Sequence, residues 1–89
     1  MPEKNVIVQH KVGLHARPAS VFVQTASKFS STITVSCEDR RANAKSILNV
    51  LTLGAHQGAE ITIAAEGEDA EEALSTLVGL VENNFGEGA

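Results

Sequence analysis

The chain contains no tryptophan and no tyrosine, and its aromatic side chains are Phe22, Phe29 and Phe85. A surface that stacks the bases of single-stranded nucleic acid is therefore missing. Positive charge is also scarce. Seven lysines and arginines against eleven acidic residues leave a formal net charge of -4, the wrong sign for binding nucleic acid through its phosphates. Proteins are the expected partners. Cys37 is the one cysteine, so no internal disulfide forms, which suits a reducing compartment. No apolar run approaches the ~18 residues that crossing a bilayer requires, so no membrane insertion is expected. The start Met-Pro-Glu-Lys is polar and lacks a signal-peptide apolar segment, which implies a cytoplasmic location. With 89 residues and 43% hydrophobic content, the chain closes one core, and a single domain over 1–89 is expected.

What is present is strong periodicity. Residues 5–9 form a short β-branched run that reads as a first strand, and 10–14 read as a loop. Over 16–29 a helical pattern places Ala19, Phe22, Val23, Ala26 and Phe29 on one apolar stripe, with Ser20, Gln24 and Ser27 on the solvated face. Residues 32–37 alternate, turning Ile33, Val35 and Cys37 to one side. A turn at Glu38 and Asp39 leads to a weak edge strand over 40–44, with Ala42 and Ala44 inward.

Ser46, the run 47–53 and Gly54 have the punctuation of a two-turn helix, with a hydroxyl N-cap and a glycine stop. Val50 and Leu53 point to one side of it and Ile47, Leu48 and Leu51 to another. One set must face solvent or a partner, which marks an interaction surface. A loop over 55–59 closes at Gly58, and 60–66 alternate again with Ile61, Ile63 and Ala65 inward. Asp69 and Glu72 stand in the relation of a capping box. The helix that follows carries Ala70, Ala73, Leu74, Leu77, Val78 and Val81 on one stripe. Gly79 weakens that helix by about 1 kcal/mol relative to alanine, with no reason visible in the sequence. Residues 86–89 read as a frayed tail. The order β-α-β-β-α-β-α, with one-sided strands and amphipathic helices, implies a two-layer α+β sandwich whose sheet is open to water on one face.

The chemistry concentrates in Val12-Gly13-Leu14-His15-Ala16-Arg17-Pro18-Ala19-Ser20. Gly13 permits a tight backbone path, and the helical pattern starting at Ala16 puts His15 at or beside the N-cap. Pro18 fits the first turn, where no internal N-H donor is needed. Unpaired amides at a helix start carry roughly half a positive charge, so the site receives an anion, and Arg17 adds a fixed cation. Other uses of these residues fit less well. His10, His15, His56 and Cys37 show none of the familiar metal-ligand spacings, so no metal is expected. A hydrolase built on Ser20 and His15 would need an oriented acid that the sequence does not identify. The plain structural role for His15 is an N-cap imidazole satisfied by a backbone amide.

The run Gly13 to Ser20 resembles the active-site signature of the HPr family, the histidine-containing phosphocarriers of the phosphoenolpyruvate-dependent sugar phosphotransferase system. Length, element order, Lys45-Ser46-Ile47, Leu53-Gly54 and Glu60-Ile61-Thr62-Ile63 extend the resemblance over nearly the whole chain. It implies an open-faced β-sandwich with a four-stranded antiparallel sheet in the order 1-4-2-3 and three helices on one face. It also implies that His15 accepts a phosphoryl group on Nδ1 from enzyme I and passes it to enzyme II A-type domains. Arg17 and the amides of Ala16 and Arg17 would hold the phosphoryl oxygens. No cofactor is implied, and the chain would be a carrier, not a free-standing catalyst, with a monomer expected.

In some members the residue matching Ser46 is phosphorylated by HPr kinase/phosphorylase, which weakens transfer and promotes binding to a catabolite-control repressor. A regulatory protein acting through Ser46 is thus the alternative reading, and a nitrogen-regulatory or dihydroxyacetone-kinase phosphorelay is another. The chain departs from the family pattern where many members carry lysines. Gln24, Ser27 and Asn49 stand there, with Lys28 and Lys45 nearby. Partner binding is therefore expected to rest on Ser20, Gln24 and the apolar set Phe22, Ile47, Leu48 and Leu51.

Overall fold

The computed structural model describes residues 2–9 and 16–86. The elements are β1 (Glu3–Ile7), α1 (Ala16–Ala26), β2 (Thr32–Cys37), β3 (Arg40–Asn43), α2 (Ile47–Leu51), β4 (Glu60–Glu66) and α3 (Ala70–Glu82), followed by a 3-10 turn at Asn84–Gly86. The four strands form one antiparallel sheet in the order β1-β4-β2-β3, the order the family resemblance implies. All three helices lie on one face.

The alternation in the strands decides which face that is. Ile33, Val35 and Cys37 of β2 and Ile61, Ile63 and Ala65 of β4 are buried under the helices, and the register pairs Val35 with Ile63 and Cys37 with Ile61. Phe22 and Ala26 of α1 and Leu77 and Val81 of α3 close over them. Phe85, held at a positive φ of 56°, is also buried. The other face carries Thr34, Ser36, Thr62, Arg41 and Asn43, with Ile7 as its exposed large apolar side chain among the described residues. There the Thr62 hydroxyl donates to Asn5 Oδ1 at 2.8 Å.

Several boundaries differ from the periodicity. β1 spans Glu3–Ile7 instead of 5–9, because its pairing with β4 ends at Ile7 opposite Glu60. Val8 continues as a buried bridge to the 58–59 loop, with Val8 N donating to the Ala59 carbonyl at 2.8 Å and Gly58 N to the Val8 carbonyl at 2.7 Å. α1 ends at Ala26 instead of 29. Lys28 N and Phe29 N reach the carbonyls of Thr25 and Ala26, the tighter i to i+3 pattern of a closing turn. α2 ends at Leu51 instead of 53 in the same way, with Thr52 N on the Asn49 carbonyl and Leu53 N on the Val50 carbonyl. β3 stops at Asn43, although Ala44 N still bonds the Ile33 carbonyl at 3.0 Å.

The capping box is not formed. Asp69 makes no side-chain cap bond to α3. Its carboxylate turns to the segment between α1 and β2, accepting from Ser30 N at 2.9 Å, Ser31 N at 3.0 Å and the Ser31 hydroxyl. Gly67 lets the two segments meet. Its φ is +145°, and a Cβ there would lie 2.9 Å from Ser31 Cα, so a side chain is excluded both by backbone conformation and by space.

Candidate functional site

His15, the expected acceptor, lies outside the described residues, as do His10 and Gly13. The described site begins at Ala16, where α1 starts. Ala16 and Arg17 are both exposed, Pro18 is fully buried, and the first turn contains no acidic residue. No carboxylate from its own turn offsets the positive pole of this helix start.

Further along α1, Gln24 Nε2 lies 3.4 Å from the Ser20 hydroxyl. Gln24 is exposed and Ser20 half-buried, so both reach the surface. Phe22 does not. It is 0% exposed, because it sits on the same stripe as Ala19 and Ala26 and packs into the core. Phe22 therefore drops out of the partner surface expected from the sequence.

α2 packs against α1. Ser46 has an extended backbone, φ -119° and ψ 114°, and its Oγ accepts from Asn49 N at 3.4 Å and Asn49 Nδ2 at 3.1 Å. It is therefore a working N-cap and remains half-exposed. The mixed apolar pattern of α2 divides as expected at all positions but Leu51: Val50 and Leu53 are buried, while Ile47 is 37% and Leu48 74% exposed. Leu51 is half-buried against the core. Among the described residues, the other exposed large hydrophobic side chain is Ile7, on the open face of the sheet.

Two cations that sequence reasoning assigned no local role are tied to this region. Lys45 Nζ donates to the Phe29 carbonyl at 2.7 Å, joining the end of α1 to the start of α2. Arg40 Nη1 lies 3.3 Å from the Thr52 carbonyl and 3.5 Å from the Leu53 carbonyl, at the other end of α2. Both are contacts between segments distant in sequence, and periodicity gives no signal for them.

The other groups that invite chemistry stand apart from this region. Cys37 is buried between the sheet and the helices, and burial, with help from the Glu38 carboxylate, pushes its thiol up, away from the reactive thiolate form. His56 is exposed, with Nδ1 2.9 Å from the Gln57 carbonyl. No helix among the described residues is long and apolar enough to cross a membrane.

Comparison with known proteins places this geometry. Residues 2–83 match the model of the family described as PTS HPr component phosphorylation site. The chain is 48% identical over 77 residues to the phosphocarrier protein HPr of Mycoplasma capricolum, covering 86% of each chain. It is 43% identical over 82 residues to the HPr-like protein Crh of Halalkalibacterium halodurans, covering 92% of this chain and 98% of that one. The crystal structure of HPr-C-His from Thermoanaerobacter tengcongensis superposes with a TM-score of 0.95 at 50% identity, covering all of both chains. With the sheet in the expected order and the match running over nearly the whole chain, the chain belongs to the HPr family of phosphotransferase-system phosphocarriers.

Proposed function

We propose that this chain carries phosphoryl groups in the cytoplasm, His15 accepting them from the phosphohistidine of enzyme I and passing them to sugar-specific enzyme II A-type domains. The observation that carries this reading is the start of α1 at Ala16, one residue after His15, with no carboxylate in its first turn. A positive helix end beside Arg17 disfavours a second positive charge, which keeps the imidazole neutral and nucleophilic. The lone pair of Nδ1 attacks phosphorus. The donor ring, protonated on its other nitrogen, leaves as a neutral imidazole with the electron pair of the broken P-N bond. His15 becomes the phosphorylated ring and keeps the proton on its other nitrogen. The amides of Ala16 and Arg17, with the Arg17 guanidinium, then neutralise the phosphoryl oxygens. Since phosphoryl transfer depends mainly on positioning and charge neutralisation, the partner enzymes supply the rest.

The docking surface in this reading is formed by Ser20 and Gln24 of α1 and Ile47, Leu48 and Leu51 of α2. Incubation with enzyme I and phosphoenolpyruvate should add one acid-labile phosphate per chain, and none to His15→Ala. Phosphate that persists in His15→Ala overturns the assignment.

A second reading is supported by the half-exposed hydroxyl of Ser46. A phosphate at a helix start is electrostatically favourable, so modification at Ser46 would change the partner surface without unfolding the domain. If binding to a regulatory partner is the main output, Ser46→Ala abolishes it and His15→Ala leaves it intact.

A further inference from the structure

α2 is five residues long, shorter than a helix that holds itself in water, yet it presents Leu48 at 74% exposure. Something outside the helix must set the direction in which that side chain faces. At its start the Ser46 cap and the Lys45 tether do so. At its end there is no basic residue in the last turn to meet the negative pole of the carbonyls. Arg40 supplies that charge from β3. Its Nη1 is shared between the Thr52 and Leu53 carbonyls, at 3.3 Å and 3.5 Å, in the turn just past the last residue of α2.

Gly54 lies beside this contact. Its φ of +66° turns the chain away after α2, and a Cβ at that position would stand 2.9 Å from Arg40 Nη1. The glycine that ends the helix therefore also leaves room for the guanidinium. The shared carbonyl contact and the absence of a Cβ at Gly54 involve the same guanidinium nitrogen.

We propose that Arg40 is a positioning residue for partner docking: by holding the carbonyls of the turn that closes α2 it fixes the pitch of that helix and so the presentation of Ile47 and Leu48. This rests on the reading of α2 as a docking surface. Arg40 acts through the helix and plays no part in the phosphoryl chemistry.

The test compares Arg40→Met, which keeps an apolar stem and loses the charge, with Arg40→Lys. Initial rates of phosphoryl acceptance from phospho-enzyme I are measured against the concentration of each variant, beside the amide resonances of residues 47–54 in the free protein. Loss of a charge-assisted contact to exposed carbonyls should raise KM about three- to tenfold with kcat unchanged, and shift the resonances of 50–54. Arg40→Lys should recover part of the KM, since one ammonium reaches one carbonyl where the guanidinium spans two. A raised KM with unshifted resonances would mean that Arg40 touches the partner directly, and shifted resonances with unchanged KM would mean that the pitch of α2 has no bearing on docking. Either result overturns the proposal. A wild-type chain that takes no phosphate overturns the carrier reading and the docking half of this proposal together, while the resonances alone still decide whether Arg40 holds α2.

Discussion

Asp69 precedes α3, where a carboxylate ordinarily serves the free amides of a helix start, but its oxygens accept from Ser30 and Ser31 instead. The Asp-x-x-Glu spacing is a local signal, and the partner that wins lies 38 residues away. The Ser31 hydroxyl, followed by the Ser30 amide, holds the Asp69 carboxyl down at about 2. A carboxyl whose folded value lies below its unfolded value near 4 stabilises the fold above that unfolded value, and loses the contribution as pH falls through the folded one. Urea unfolding of the wild type and of Asp69→Asn should therefore differ most above about pH 5, with the wild type the more stable. The gap should narrow between about pH 4 and 2 and close below about 2. A gap that stays constant down to pH 2 would show that the carboxylate charge contributes nothing to this contact. The sequence-level clue that was available is Gly67, two residues before Asp69, whose φ of +145° against Ser31 brings the two turns together.

Strands and long helices were legible because each buries one face, and burial imposes a period of 2 or 3.6 on the apolar residues. Helix ends were less so. The closing turns after Ala26 and Leu51 tighten to i to i+3 bonds, and an apolar residue such as Phe29 or Leu53 remains packed on the core after the α-helix has ended. The stripe thus outruns the helix. Phe22 was misplaced for a related reason: it belongs to the α1 stripe, and a position near a site in sequence says nothing about which way the side chain turns. α2 shows the converse, since its excess of apolar residues correctly signalled a second face. Its two faces should separate in mutagenesis. Val50→Ala, at a fully buried position, should lower the unfolding free energy by about 1–3 kcal/mol in chemical denaturation. Leu48→Ser should change it by less than about 0.5 kcal/mol, yet raise the KM for phosphoryl acceptance. Equal losses of stability in the two variants would mean that Leu48 is covered in solution.

At the scale of the whole molecule, periodicity fixes which face of each strand is buried but not which strands are neighbours. The order β1-β4-β2-β3 was legible through the resemblance around His15, because antiparallel strands with similar alternation are interchangeable to a pattern. Charge distribution is a second whole-molecule property, and it bears on how partners are found. The chain is acidic overall, at -4, but α1 and α2 contain no acidic residue and one cation, Arg17. Lys28 and Lys45 stand beside them, and the Lys45 ammonium is engaged with the Phe29 carbonyl. The proposed docking side bears only these few cations, on a molecule of net negative charge, so long-range attraction to an acidic partner is weak. In the proposed docking mode, contact then rests mainly on desolvating Ile47 and Leu48, which salt does not screen. Raising NaCl from about 50 to 300 mM shortens the Debye length from roughly 14 to 6 Å, and should raise the KM for phosphoryl acceptance from enzyme I by less than about threefold. Leu48→Ser should raise it more than the salt does. A rise of tenfold or more with salt, in the wild type and in Leu48→Ser alike, would assign docking to Arg17, Lys28 and Lys45 instead of to the apolar face of α2.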